Sequence, residues 1–181
     1  MSLHSTPAQE KSNWQVQMNS NAGAGTFATN VAIQANPEGY ITKPNHPSFH
    51  VGSPNNSGSS SGQVWKSHSN AIFSNNGNHY DNSTGRFTAP IAGTYFFFHW
   101  GMTQSNSAGT TDVYSRKNGS RDQIGTSYNS NSGGTNGYHQ FGCSYVRVLA
   151  KGDYVDVYTS SGSIYYTTDG RHGGWGGWLI G

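Results

Sequence analysis

Residues 93–102 read Gly-Thr-Tyr-Phe-Phe-Phe-His-Trp-Gly-Met, and this run constrains the fold more than any other part of the chain. Side chains of a strand point alternately to opposite faces. Tyr95 and Phe97 therefore share one face, and Phe96, Phe98 and Trp100 share the other. A strand of an antiparallel sheet usually carries one apolar and one solvated face. Here both faces are aromatic, so one needs the domain's own core and the other needs a second cover. No window repeats apolar residues at helical spacing. Short runs of Tyr, Phe, Val, Thr and Trp alternate instead with clusters of Gly, Asn and Ser, and there are 25 Gly in all. The chain reads as all-β, with strands expected at 47–52, 63–66, 71–74, 85–89, 93–102, 111–117, 121–128, 137–149, 153–160 and 173–180 and a short one at 163–167. Some ten strands with turns between them predict a sandwich or barrel.

Charge and hydropathy remove several function classes. Only 10% of the 181 residues are charged and the net charge is +2, with Lys and Arg placed singly. No basic stripe exists to neutralise phosphates, so nucleic acid is not an expected partner. The densest apolar runs, 95–98 and 178–180, fall far short of the ~20 residues of a membrane helix, so no membrane insertion is expected. Residues 1–30 show neither a basic segment nor an apolar core of a secretory signal, and export by that route is not expected. The single cysteine, Cys143, excludes an internal disulfide and a cysteine-based zinc cluster. On a strand it reads as a small buried residue. Residues 1–45 are polar and sparse in apolar anchors, and Pro37, Pro44 and Pro47 follow. They are expected to be an extended stem or virion-anchoring segment, ordered only by a neighbour, with the head at 46–181.

Between Asn75 and Phe97 the spacing is distinctive. Asn75, Tyr80, Phe87, Gly93, Tyr95 and Phe97 follow a pattern of Asn, four residues, an aromatic, six residues, Phe, five residues, then Gly-x-Tyr-x-Phe. Lys117-Asn118-Gly119, the Gly152-Asp153 turn inside 149–157, and the closing Trp175-Gly176-Gly177-Trp178-Leu179-Ile180 follow downstream. This resembles the globular-head family of complement C1q, related in fold to tumour necrosis factor. Two positions depart from the pattern. His99 replaces the final aromatic, and Ser69 stands where a Phe belongs, a place that Ile72 or Phe73 can fill. The resemblance implies a ten-stranded antiparallel jelly-roll sandwich that assembles as a homotrimer. The second aromatic face then has its cover, with Phe96, Phe98 and Trp100 as the trimer-interface candidates.

Catalysis finds no constellation. The acids are Glu10, Glu38, Asp81, Asp112, Asp122, Asp153, Asp156 and Asp169, and nothing pairs two of them across a cleft. Among the eight histidines no metal-ligand spacing occurs, so no cofactor and no metal ligand is assigned. His99 is the exception of interest, because a trimer repeats one side chain three times and can bring three imidazoles to an axis. Otherwise it is a buried, hydrogen-bonded core residue.

Recognition is what remains, and the resemblance implies a head that binds through exposed loops. Loops 104–110, 127–137 and 159–172 carry Tyr128, Asn129, Asn131, Asn136, Tyr138, Tyr165, Tyr166, Asp169 and Arg171 as receptor-binding candidates. Aromatic rings offer a platform to a sugar's apolar face and amides satisfy its hydroxyls, so a host cell-surface polysaccharide or protein is the expected partner. The approach Asn36-Pro37 and Tyr40-x-x-Lys-Pro-Asn-x-Pro-x-Phe looks like that of heads on phage tail fibres. A fibre or decoration protein on a virion exterior is therefore expected, with a fragment of a secreted bacterial or animal lectin of the same family as the alternative.

Overall fold

A computed structural model describes residues 14–18, 30–35, 40–43, 45–52, 54, 61–104, 109–131 and 137–181. The chain divides into two units, Met1–His46 and Pro47–Gly181. In the first, β1 (Trp14–Met18), β2 (Asn30–Ala35) and β3 (Ile41–Thr42) form an antiparallel sheet in the order β1-β2-β3. Trp14 lies opposite Ala35 and Val16 opposite Ile33. An extended stem was expected here, and the difference has a local cause. Trp14-x-Val16-x-Met18 and Val31-x-Ile33-x-Ala35 each alternate at the period of a strand, so the segment meets its backbone hydrogen bonds by pairing with itself.

The second unit is an all-β sandwich of two antiparallel sheets. Its strands are β4 (Ser48–Gly52), β5 (Gln63–Val64), β6 (Ile72–Asn76), β7 (Tyr80–Asp81), β8 (Arg86–Thr88), β9 (Gly93–Thr103), β10 (Gly109–Lys117), β11 (Ser120–Asn131), β12 (Gln140–Leu149), β13 (Tyr154–Ser161), β14 (Ile164–Tyr165) and β15 (Gly173–Leu179). The front sheet runs β12-β9-β15-β4-β6, with β14 on β9; the back sheet runs β11-β10-β13-β8-β7, with β5 on β13. The described residues therefore give twelve strands where ten were expected. The addition of β7 and the firm status of β14 account for the difference, and each is two residues long. A two-residue strand has no periodicity of its own and exists only because a partner is in register.

The core lies between the sheets. Phe49 stacks on Tyr80 and Phe87, with ring centroids 5.3 and 5.0 Å away, and meets Trp175 edge-on at 4.5 Å. Tyr95, Phe97, Val113, Leu149, Val155 and Val157 complete it. The position left open by Ser69 resolves cleanly. Ser69–Ala71 is a short 3-10 turn, Ile72 packs against the core, and Phe73 stays 54% exposed. Cys143 is only partly buried and also lies against the core.

Candidate recognition surfaces

The residues that carry the spacing pattern hold the scaffold together. Asn75 brackets Tyr80, accepting from its N–H at 3.0 Å and donating to its carbonyl at 2.8 Å. The Tyr80 ring is thereby fixed against Phe49. Tyr95 buries its ring and donates its hydroxyl to the Ile91 carbonyl at 2.8 Å. At the β10–β11 hairpin Asn118 (φ 52°) and Gly119 (φ 82°) both take the left-handed conformation, which a two-residue hairpin turn matched to strand twist requires. Asn118 donates to Asp153 at 2.8 Å and accepts from the Tyr154 N–H at 2.9 Å, and Lys117 pairs with Asp153 at 2.8 Å. Hydrogen bonding from Lys117, then from Asn118 and the Ala150 N–H, lowers the Asp153 carboxyl to about 2. Gly177 faces Phe97 so closely that a Cβ there would come within 2.4 Å of the ring.

The outward face of the front sheet is aromatic from β9 to β15. Phe96 lies opposite Trp178 with rings 4.5 Å apart, and His50 sits between Phe73 at 4.9 Å and Phe98 at 5.6 Å. Val146 and Val148 of β12, together with Trp178 and Ile180, extend the face; their exposures run from 42% to 68%. Phe96, Phe98 and Trp100 themselves are half-buried. The reason is a trough of glycines. A Cβ on Gly176 would lie 2.9 Å from the Phe98 ring, and one on Gly174 would lie 3.2 Å from the Trp100 indole nitrogen. The aromatic rings of β9 thus lean across a neighbouring strand that has no side chains to lift them.

His99 does not belong to this face. It points into the sandwich with Tyr95 and Phe97, is 1% exposed, and its Nε2 lies 3.0 Å from Ser127 Oγ, beside the Trp65 ring. Burial pushes its pKa down to about 4. The axial placement considered from sequence is therefore corrected: period two puts residue 99 on the core side, opposite to Phe98 and Trp100.

The receptor-binding candidates separate into groups. Tyr138 and Tyr165 come together at 4.7 Å, and His172 joins Tyr165 at 5.0 Å. Tyr165 lies opposite Met102, so it shares the face of Trp100 and the cluster continues the aromatic surface at its end. Tyr166 turns to stack on His68. Arg171 closes on Asp169, which also accepts from Thr167 at 2.6 Å; these bonds, Arg171 first, hold the Asp169 carboxyl well below the usual range. Tyr128, Asn129 and Asn131 belong to β11, opposite Asp112, Thr111 and Gly109, and not to a loop as expected. The hairpin is longer than its sequence shows, because the polar residues continue a ladder set by β10. Asn136 lies outside the described residues.

A further surface, on the back sheet, escaped the sequence reading. Arg86 covers the Tyr154 ring at 4.1 Å, Arg116 covers Tyr158 at 4.2 Å, and Arg121 covers Tyr114 at 4.1 Å. Arg116 grips Asp156 with two bonds of 2.7 and 2.9 Å, and Arg121 grips Asp112 with two of 3.0 Å. The alternation Asp112-x-Tyr114-x-Arg116 and Tyr154-x-Asp156-x-Tyr158 was a local signal, but only the register of β10 against β13 stacks the two sets.

Solved structures place this architecture in a known class. The globular domain of zebrafish complement 1qA matches with a TM-score of 0.57 at 19% identity, covering 75% of this chain and 98% of that one. Murine APRIL matches with a TM-score of 0.57 at 14% identity, covering 75% and 99%. The Eiger tumour necrosis factor of S. frugiperda matches with a TM-score of 0.54 at 13% identity, covering 76% and 94%. The fold is the sandwich shared by C1q and tumour necrosis factor domains. Residues 49–180 match the C1q domain family, and the chain belongs to it. No curated protein matches the chain in sequence.

Proposed function

We propose that the chain is a non-enzymatic recognition head that works as a homotrimer and carries its receptor-binding surface outward from a larger particle. The outer aromatic face of the front sheet carries this reading. Phe96, Phe98, Trp100 and Trp178 with Phe73, Val146 and Val148 form a contiguous apolar surface of the kind that soluble monomers rarely leave uncovered. A second and third copy of the same chain is the cover that its family membership supports. Light scattering on the full chain tests this, with a mass three times 19.5 kDa expected. A monodisperse monomer at micromolar concentration overturns it.

The receptor is a host cell-surface polysaccharide, engaged without cleavage by the Tyr138–Tyr165–His172 cluster and the polar residues near it. Tyr138 is 47% exposed and stands beside a second ring, a platform for a sugar's apolar face. Three weak sites on one head gain affinity by multivalency. The particle is a phage virion, in which the N-terminal unit attaches the head to a fibre or decoration position; the likeness of residues 36–49 to the approach of phage tail-fibre heads supports this. Immunogold labelling of virions with antibody to the head tests the location. Antigen found only in the medium of a secreting cell would replace the virion reading with that of a secreted lectin.

A further inference from the structure

The back sheet contains a notch made by an interruption in pairing. Along one edge of β13, β8 pairs with residues 154–156 and β5 pairs with residues 158–159. Where the two short strands adjoin, Gln63, Val64 and Lys66 on one side and Ser83, Thr84 and Arg86 on the other line a groove of about 320 Å³. No carboxylate lines it. The acid nearest to Arg86 is already occupied, because Arg116 takes both oxygens of the buried Asp156 and leaves Arg86 at 3.5 Å, without a hydrogen bond to its Nε. Two guanidinium groups therefore share one carboxylate, and the positive charge left over faces the groove. Lys66 has no ion-pair partner among the described residues. Asp81, the acid of the adjoining turn, spends its oxygens on the Ser83 N–H and on the hydroxyls of Ser83 and Thr84. Those hydroxyls donate inward and keep lone pairs that can accept from a ligand.

The geometry points to this notch as a binding site for an anionic saccharide, its carboxylate or sulfate held between Arg86 and Lys66. Arg86 supplies a planar fork suited to an oxyanion, and Lys66 supplies a point charge. The Gln63 amide and the Ser83 and Thr84 oxygens meet ring hydroxyls, and Val64 gives an apolar contact. This deepens the reading of the head as a saccharide binder and rests on it. The notch lies on the sheet opposite the aromatic face, so trimer assembly through that face leaves three notches open.

Calorimetric titration of the full chain with oligogalacturonate, a sulfated galactan oligosaccharide and a neutral galacto-oligosaccharide tests the site. One of the two anionic oligosaccharides is expected to bind at least about tenfold more tightly than the neutral one, and which of them does so identifies the oxyanion. Lys66→Gln and Arg86→Gln are each expected to weaken that binding about tenfold, the size of one charge-assisted bond. Arg121→Gln, which removes a cation of the same sheet outside the groove, is expected to leave it unchanged. Arg86→Gln also disturbs Asp156, so Lys66→Gln, which breaks no ion pair, is the deciding variant, with its melting temperature as the control. Equal binding of the neutral oligosaccharide, an equal loss in Arg121→Gln, or no loss in Lys66→Gln overturns the site. Adsorption of isolated trimers to host cells separates the two readings. Adsorption that survives Lys66→Gln removes the notch and leaves the recognition head standing, whereas a head that binds the anionic oligosaccharide but adsorbs to no cell removes the receptor reading alone.

Discussion

His99 shows how one residue can be predicted in part and still be misplaced. Period two assigned it to the face of Tyr95 and Phe97, and from that it follows that it lies in the core once Phe98 faces outward. Its consequence is a pH dependence. The folded pKa is lowered from 6.5 to about 4 by burial, so the unfolded chain binds the proton first as pH falls. The stability associated with the neutral ring is present above 6.5 and is lost as pH falls towards 4, by up to about 3 kcal/mol at 1.36 kcal/mol per unit. Burial lowers His50 and His79 as well, so the difference between wild type and His99→Gln is the readout. Urea unfolding between about pH 7 and pH 4 should show a flatter slope in the variant, and parallel slopes would contradict the assignment. Asp153, lowered from 3.8 to about 2, acts in a separate and more acid window, its contribution being present above 3.8 and lost as pH falls through 2.

At the scale of elements, the turns were the most legible part. Asn118-Gly119 announced a tight hairpin by residue type alone, because both positions need positive φ. Asn118→Ala should destabilise the head by about 1–2 kcal/mol, through the left-handed backbone and the lost bonds to Asp153 and Tyr154; an unchanged denaturation midpoint would show the turn to be slack. The strand β15 was legible as a strand but its glycines were not legible as a trough. Gly176→Ala should cost about 1–3 kcal/mol, since a Cβ would lie 2.6 Å from the Phe49 carbonyl and 2.9 Å from the Phe98 ring. Thermal melts would measure this, and an unaltered melting temperature would mean that the rings rest elsewhere. By contrast, the far end of β11 was read as loop because Ser, Asn and Gly dominate it. Pairing of residues 126–131 with β10 overrides that weak propensity.

On the scale of the whole molecule, the prediction concerns association. Phe98→Asp places a charge in the middle of the aromatic face, where a trimer would bury it unpaired. Light scattering should find dissociated or unfolded chains, while Arg121→Gln on the other sheet should remain trimeric; a trimeric Phe98→Asp would show that another surface assembles the head. Deletion of residues 1–45 should leave the head trimeric with its own cooperative melting but unable to join a particle. Loss of that melting would place the N-terminal unit in the head's stability instead.

What the sequence by itself determined are the features whose causes lie within a few residues. These are the two-faced aromatic strand at 93–102, the positive-φ turns, the Asn75–Tyr80 bracket and the all-β class. Only the tertiary structure decided which pieces meet. The glycines of β15 had to fall beside Phe98 and Trp100, β10 had to align with β13 for arginines to cover tyrosines, and β5 and β8 had to share one edge for a notch to open. The physical reason is that register across strands distant in sequence is set by the shared burial of Phe49, Tyr80, Phe87, Phe97 and Trp175 in one core. A slip of one residue would exchange the two faces of a strand, and no local pattern carries that choice.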